Sequence, residues 1–429
     1  MFFIKKGALF VCLCLCIYFS YIPHIRAEMD WSIGSLHEQI LLPPDQIDEV
    51  FFGSSVAFSN QYAIIGSKND INGGSAYIFE KIDGKWVFVK KFEATQTNAS
   101  LGVSVALTGN FAFAGAMLYD RDENYIETGI VYVYQRQDSG NWTQTQTLMP
   151  DPIESVHYLG CSMAAENNQL IIGAYGNTKE SGKAFIFELE NNQWIQRHTL
   201  EPIEPDIGGR FGIAVDINMD YAIVGAYLGY DYQGTAYIFQ KQEGAWKQIE
   251  LLISPSQDSF THFGYAVSIN EQFAVVGSKS EKQNNIRNTG AVYVYRHNEN
   301  LWEQMPKLVE PDLQKDDKFG VSIDLEGSIL AVGSTKMDAN LVDCGAASIY
   351  RIEENQFVLL RKISAKEPNI DSRFSNALAF CENNILIASE AYKQNSGAVY
   401  YYSLEFLLPF DGVTGLDEVI HLMKVLSDK

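Results

Sequence analysis

The chain has 429 residues, 46% of them hydrophobic and 13% aromatic, which is enough apolar material for one large domain or for several smaller ones. Its formal net charge is −21, so it lacks the positive charge of a nucleic-acid-binding protein and would be repelled by an anionic membrane. Length and charge therefore predict a globular chain without a nucleic-acid partner.

The N-terminus predicts a secretory signal. Lys5 and Lys6 precede an apolar run at residues 7–22, and residues 25–27 (IRA) offer a small-residue cleavage point. The apolar run is short for a membrane span. We therefore assign residues 1–27 to a signal peptide and expect a secreted protein, extracellular or periplasmic, without a membrane span.

A segment of constant length then occurs seven times, with a leading Phe or Leu and a Gly or Ala near its end. The copies begin at positions 52, 101, 159, 211, 263, 319 and 374. Each copy contains two apolar runs around a polar turn, as in FGIAVDINMDYAIVGA at 211–226, and an aromatic run such as GTAYIFQK follows. A fourth run opens with Trp or Phe in six copies. Four short strands per repeat predict one β-propeller blade per copy.

The seventh copy lacks its fourth strand, and a matching strand precedes the first copy. SLHEQILLPPD, from Ser35, aligns with WIQRHTLEPIEPD, from Trp194, and places Leu41 at the position of Leu200. A strand exchanged in this way would close the ring and remove two open sheet edges. We therefore predict an all-β fold: a seven-bladed propeller of four-stranded blades at residues 28–409, whose last blade is closed by the N-terminal strand.

The repeats resemble the FG-GAP repeats of integrin alpha-subunit propellers and of their bacterial relatives. The resemblance is carried by Phe211-Gly212, by Gly225-Ala226, by their counterparts in the other copies and by the AYIF or VYVY strand. It covers residues 35–405 and implies the propeller fold. It implies no single function, because propellers serve as lectins, hydrolases, lyases and adhesins.

The turn of the fourth copy has oxygen-bearing side chains at alternate positions, Asp216, Asn218 and Asp220, which is how a calcium loop begins. Turns of the same length in the other copies read differently, for example SNQ and EGS, and a polar hairpin needs no metal. The family's DxDxDGxxD loop also has a Gly and a final Asp that are missing here. We favour a polar turn, keep Ca²⁺ as the alternative at these residues, and expect no other cofactor.

After residue 409 the repeat ends, and residues 410–429 predict a short C-terminal helix. Its apolar face would consist of Leu416, Val419, Ile420, Met423 and Leu426. We favour packing on the propeller, with partner binding as the alternative.

The connection between strands two and three varies most in length, and insertions on one face of a repeat protein commonly mark its binding face. Tyrosines there would offer apolar area and a hydroxyl to a partner; the alternative is that each packs against a neighbouring blade. The candidate contact residues are Tyr119, Asp120, Asp122, Tyr125, Tyr175, Tyr227, Tyr230, Tyr232, Arg287 and Tyr392.

No GxSxG motif, P-loop or HExxH motif occurs, so we assign no catalytic residue. We predict a monomeric, non-catalytic recognition or adhesion module for a protein or glycan. The alternative is a carbohydrate-active enzyme or lectin that uses the central pocket. Asn98 and Asn141 are glycosylation acceptors if the host modifies secreted proteins.

Overall fold

The computed structural model describes residues 38–404, except residues 46, 124–125, 152–156, 177–180, 257, 300, 339–342 and 366–368. The predicted signal peptide at 1–27 and the predicted helix at 410–429 lie outside the described residues. Both stay predictions, as do the domain limits at 28 and 409.

The described residues form seven antiparallel sheets of four strands, which confirms the predicted propeller. The first four blades consist of β2 (Phe52–Phe58), β3 (Tyr62–Ser67), β4 (Ser75–Ile82) and β5 (Lys85–Glu93); β6 (Leu101–Thr108), β7 (Phe111–Ala116), β8 (Ile130–Arg136) and β9 (Trp142–Leu148); β10 (Leu159–Glu166), β11 (Gln169–Ala174), β12 (Lys183–Glu190) and β13 (Gln193–Leu200); and β14 (Ala214–Ile217), β15 (Tyr221–Ala226), β16 (Thr235–Gln242) and β17 (Ala245–Ile253).

The last three blades consist of β18 (Phe263–Ile269), β19 (Phe273–Ser278), β20 (Val292–Asn298) and β21 (Leu301–Gln304); β22 (Ile323–Glu326), β23 (Ile329–Ser334), β24 (Ala346–Ile352) and β25 (Phe357–Ile363); and β26 (Phe374–Cys381), β27 (Asn384–Ser389), β28 (Ala398–Ser403) and β1 (Glu38–Leu41). Two four-residue helical turns, Gly229–Tyr232 and Tyr392–Asn395, lie in loops.

The N-terminal strand closes the ring in the predicted register. Leu41 pairs with Val399, just as Leu200 pairs with Ala184 in blade three, where Ala184 is the repeat equivalent of Val399. Gln39 exchanges two hydrogen bonds with the backbone of Trp86, at 2.7 and 2.8 Å. The joint between first and last blade is therefore built like the joints inside the chain.

The repeated FG and GA glycines allow neighbouring blades to touch. A Cβ on Gly66 would lie 1.9 Å from the carbonyl oxygen of Gly102 in the next blade, far inside van der Waals contact. Gly173 and Gly212 repeat this approach at 2.0 Å. Gly102 and Gly212 also have left-handed backbone angles, which glycine adopts without strain.

The hydrophobic core lies in the seams between blades. The second strands are fully or almost fully buried, as in β7 and β11, whereas the outer strands expose many of their side chains. The tryptophan that opens the fourth strand packs edge-to-face on the preceding blade, as Trp142 does on Tyr62 with ring centroids 5.3 Å apart. Inner strands buried on both faces read as continuous apolar runs, which explains the runs in the sequence.

Candidate functional site

The loops of the propeller lie at two opposite ends of the blades. Phe52, at the start of β2, pairs with Ser67, at the end of β3, so both lie at the same end. The loops from strand two to strand three and the loops from strand four to the next blade therefore share one surface, which we call the upper face. The hairpins between strands one and two and between strands three and four form the lower face.

Two of the predicted contact residues, Tyr230 and Tyr232, are exposed on the upper face of blade four. Their exposed fractions are 55% and 54%. The ring of Tyr232 stacks on Phe260 from the next inter-blade loop, with centroids 5.0 Å apart, and Phe260 is itself 55% exposed. We call Tyr230, Tyr232 and Phe260 the aromatic patch.

Hydrogen bonds hold the loops of the aromatic patch together. The backbone N–H of Phe260 donates to the carbonyl of Tyr232 at 2.7 Å. The N–H of Tyr230 donates to the carboxylate of Asp206 at 2.6 Å, which ties this loop to the preceding inter-blade loop. That loop also carries Ile207, which is 70% exposed. Exposed apolar side chains are therefore presented on a hydrogen-bonded backbone.

Phe260 occupies a left-handed backbone position, with φ at 61°. Bulky residues rarely adopt this conformation, because Cβ approaches the following carbonyl oxygen. The equivalent positions of five other blades are also left-handed, and they carry Glu49, Asn98, Gly208, Asp316 and Asp371. The loop therefore does not require an aromatic residue at this position.

Blade seven builds the loop of Tyr230 and Tyr232 from other residues. The turns 229–232 and 392–395 share left-handed angles at their second and third positions. Lys393 and Asn395 stand where blade four has its two tyrosines. The shape of this loop thus does not depend on tyrosine.

Three other predicted contact residues take part in internal packing. Tyr392 is only 4% exposed and packs edge-on to Tyr400, so the prediction that it contacts a ligand at the surface is wrong. Tyr119 packs against the core between blades one and two. Asp120 accepts a hydrogen bond from the backbone N–H of Glu127 at 2.7 Å, which closes its own loop.

The remaining predicted contact residues are Asp122, Tyr125, Tyr175, Tyr227 and Arg287. Asp122 and Arg287 are exposed, and their role stays a prediction; Tyr125 lies outside the described residues. Tyr175 and Tyr227 are half-buried and belong to a second group of side chains, at the centre of the upper face.

This second group surrounds the upper opening of the central channel that the inner strands of a propeller enclose. One ring contains the residues that precede each leading Phe or Leu: Phe51, Ser100, Tyr158, Arg210, His262, Lys318 and Arg373. The other contains the residues that follow the small-residue pair of each second strand: Lys68, Met117, Tyr175, Tyr227, Lys279, Thr335 and Glu390. We call both rings together the mouth residues.

Every residue of the first ring has a left-handed backbone angle, with φ between 53° and 68°. Glycine would adopt this angle with less strain, yet none of the seven is glycine. Backbone strain of this kind is frequent at binding and active sites. The first ring therefore has side chains at seven backbone positions where glycine would be less strained.

On one side of the mouth a single carboxylate pairs with two cations. Glu390 is 6% exposed and accepts from both Lys68, at 2.7 Å, and Arg373, at 2.9 Å. Both oxygens of this carboxylate are thus occupied by cations.

On the other side, in blades three to six, cations lie against aromatic rings. The guanidinium of Arg210 lies 4.8 Å from the ring centroid of Tyr175, which stacks on Tyr158 at 4.6 Å. Burial raises the pKa of Tyr175 to about 12. The ammonium of Lys279 lies 3.0 Å from the ring centroid of Tyr265.

Withdrawal from water, together with the charge of Lys318, lowers the pKa of Lys279 to about 7. Withdrawal from water and both lysine charges lower the pKa of His262 to about 4. The Nδ1 of His262 lies 2.8 Å from Oγ of Ser280. At neutral pH His262 is therefore uncharged, and Lys279 is close to its own titration point.

Two of the three alternating side chains at 216–220, those of Asp216 and Asn218, make hydrogen bonds that support the fold. Asp216 accepts from the hydroxyl of Ser268 and the N–H of Ile269, both at 2.8 Å and both in the next blade. Asn218 accepts from two N–H groups of its own hairpin, and the side chain of Asp220 is exposed. Among the described residues, no group of three or more His, Cys, Asp or Glu side chains is arranged for a metal ion.

Asp324 in blade six repeats the position of Asp216. It accepts from the N–H of Phe380 in blade seven at 2.5 Å. Burial raises the pKa of Asp216 to about 6 and, with smaller effects from neighbouring carboxylates, that of Asp324 to about 7. Both carboxylates join neighbouring blades.

Phe260 and most of the mouth residues were not predicted from the sequence. Phe260 and the first ring lie in the connections between blades, and the second ring occupies the first position of each variable loop, where only Tyr175 and Tyr227 were predicted contacts. Reading the aligned copies column by column would have revealed them, because the columns before the leading residue and after the small pair contain five Lys or Arg in a chain of charge −21.

Asn98 and Asn141, the two glycosylation acceptors, are both exposed. Within the described part of the chain, no helix has the length and apolarity needed to cross a bilayer.

Known proteins resemble the chain at two levels. The family model "FG-GAP repeat" matches residues 36–79, 142–187, 194–239, 246–295 and 302–350, more than half of the chain. Mouse integrin alpha-2 is 28% identical over 226 residues, which are 46% of this chain and 18% of the integrin. The matched region is thus a small part of that relative.

Solved structures share the fold at low identity. A Lactobacillus plantarum protein has a TM-score of 0.51 and 15% identity, over 74% of this chain and 86% of its own. A Bacteroides uniformis protein that carries the proposed name 6-phosphogluconolactonase has a TM-score of 0.51 and 13% identity, over 78% of this chain and 93% of its own. At such identities the likeness concerns the fold alone.

Proposed function

The chain belongs to the FG-GAP repeat family, and on that premise we propose that it is a secreted or surface-exposed recognition module. It binds a protein or a glycan through its upper face and catalyses no reaction. The predicted signal at 1–27 would place it outside the cytosol, where an adhesion or recognition role belongs.

The aromatic patch is the observation that carries this proposal. Its three rings are more than half exposed although exposure of large apolar side chains is unfavourable, and such patches mark interaction sites. Phe260 stands at a left-handed position that other blades fill mainly with Asn, Asp or Gly. Tyr230 and Tyr232 have polar equivalents in a loop of the same shape. The loop backbone therefore does not require these side chains, whereas binding to a partner would explain their exposure.

The test replaces the aromatic patch with residues that other blades use at the same positions: Tyr230→Lys, Tyr232→Asn and Phe260→Asn. We expect a free energy of unfolding within about 1 kcal/mol of the parent, because relief of left-handed strain offsets the lost ring stacking. Binding to arrays of extracellular proteins and glycans should fall at least about tenfold, as hot-spot aromatic residues predict.

The matched control removes three exposed apolar side chains from the lower face: Ile82→Ala, Met219→Ala and Leu301→Ala. This control should keep every interaction of the parent. Unchanged array binding by the patch variant, or equal loss in the control, would contradict the proposal.

Catalysis in the central pocket is the alternative function. The proposed name of one fold relative points to hydrolysis of a phosphorylated sugar lactone. At the mouth, however, both oxygens of the Glu390 carboxylate are held by cations, Lys68 and Arg373, so this group is not free to transfer a proton. Faster hydrolysis of 6-phosphogluconolactone by the full chain, lost on Glu390→Gln, would favour the enzyme over the recognition module.

A further inference from the structure

The mouth residues carry an excess of positive charge. Lys68, Arg210, Lys279, Lys318 and Arg373 are opposed by Glu390 alone. Lys68 and Arg373 pair with this carboxylate. In the part of the chain that the structure describes, the other three cations form no ion pair. In a chain of charge −21, an unneutralised cationic cluster stands out from its surroundings.

Two of these cations, Lys279 and Lys318, repel each other, and Arg210 lies on the same side of the mouth. Lys318 is near enough to lower the pKa of Lys279, and both lower that of His262. Arg210 donates one hydrogen bond, from NH1 to the carbonyl of Gly176 at 3.1 Å, which leaves most of its five N–H donors for a ligand. Like charges held together at a partly dehydrated site favour an anion that would relieve the repulsion.

The neighbouring surface indicates where that anion comes from. Phe260 of the aromatic patch precedes His262 of the mouth by two positions, and the exposed Ile207 precedes Arg210 by three, so exposed apolar side chains and mouth residues share loops. Ile207 is 70% exposed, and aliphatic side chains bury well against protein but offer little to a hydroxylated sugar. An acidic side chain with apolar neighbours would match both the cations of the mouth and the exposed apolar side chains beside them.

We propose that the channel mouth binds a carboxylate of a protein partner, an Asp or Glu side chain that Arg210, Lys279 and Lys318 receive while apolar neighbours rest on the aromatic patch. The proposal rests on the recognition function proposed above and names the chemistry of the partner. A planar guanidinium can pair with both oxygens of a carboxylate, and an ammonium adds a point charge.

The experiment measures binding of immobilised full-length protein to poly-L-glutamate, with polygalacturonate as the acidic-glycan probe. Poly-L-glutamate should bind despite the negative net charge of the chain. The double variant Lys279→Glu, Lys318→Glu should lose at least tenfold in affinity. The control Lys85→Glu, Lys247→Glu changes the net charge equally on the outer strands, where both lysines are exposed, and should stay within about twofold.

A second variant keeps the test independent of folding. Lys279→Arg stays protonated at alkaline pH, so it should bind like the parent at pH 6 and lose less affinity between pH 6 and pH 9. The parent should weaken over this range as Lys279 loses its proton, while His262 and Tyr265 stay neutral. Identical pH profiles would overturn the assignment of Lys279.

The remaining outcomes separate this proposal from the recognition function. We call the double variant Lys279→Glu, Lys318→Glu the mouth variant, and binding that it weakens mouth-dependent. Equal polyglutamate binding by the mouth variant and its control would overturn the site. Mouth-dependent binding of polygalacturonate alone would also overturn it. An array ligand that binds the mouth variant fully but not the aromatic-patch variant would also overturn the carboxylate site and leave the recognition function standing. Mouth-dependent polyglutamate binding without any array ligand would support the site and contradict the recognition function.

Discussion

At the scale of single residues, the upper face contains groups that oppose stability. Phe260 holds an aromatic side chain at a left-handed position, and Lys279 holds a cation away from water beside a second cation. By contrast, the carboxylate oxygens of Asp216 accept hydrogen bonds from the next blade and from the backbone N–H of Ile217. The spacing of 216–220 alone could not predict this, because a ligand set and a blade contact use the same residue types.

Replacing Lys279 with Met should stabilise the protein at low pH. The pKa of Lys279 is about 7 in the folded protein and 10.5 as its ordinary value, so below pH 7 the folded state carries the cost of a charged, dehydrated ammonium. From pH 7 to about 10 the unfolded state binds more protons, so the parent gains stability as pH rises.

The gain from Lys279→Met, measured as the free energy of unfolding in urea, should therefore be at least about 1 kcal/mol at pH 6 and decline toward pH 9. Lys247→Met, at an exposed position of an outer strand, is the control and should show no such trend. A gain that grows with pH would contradict the charge environment described for Lys279.

At the scale of elements, closure by β1 follows from the same contacts that join the other blades. Gln39 and Gln146 bond in the same way to Trp86 and Trp194. The register of β1 was predictable because Leu41 aligns with Leu200, and a slip of one residue would turn its buried side to solvent. The loops were less predictable: loops of one shape carry Tyr at different positions, so Tyr230 is exposed and Tyr392 is buried.

Leu41→Ala should destabilise the whole ring. Leu41 is 2% exposed and packs in the seam between blades seven and one, so its truncation should cost about 2–4 kcal/mol. Ile40→Ala, one residue away and 37% exposed, should cost less than about 1 kcal/mol. Urea unfolding compares the two variants, and equal costs would contradict closure by β1.

At the scale of the whole molecule, seven copies of one backbone carry different side chains at equivalent positions. The fold could be predicted from the sequence because each position of the repeat occurs seven times. The candidate site has no such redundancy: it arises where one sector departs from the other blades, with Phe260 among Asn and Asp residues and Arg210, Lys279 and Lys318 around one opening. Those departures become a site only when the ring brings blades three to six together.

The most direct test of upper-face recognition is hydrogen–deuterium exchange of the full chain with and without the tightest ligand from the arrays. We predict slower exchange in residues 227–234 and 254–262, and in the mouth segments around Arg210 and Lys318. The lower-face hairpin at 216–221 should exchange unchanged. Protection confined to the lower face, with the upper loops unaffected, would contradict the account.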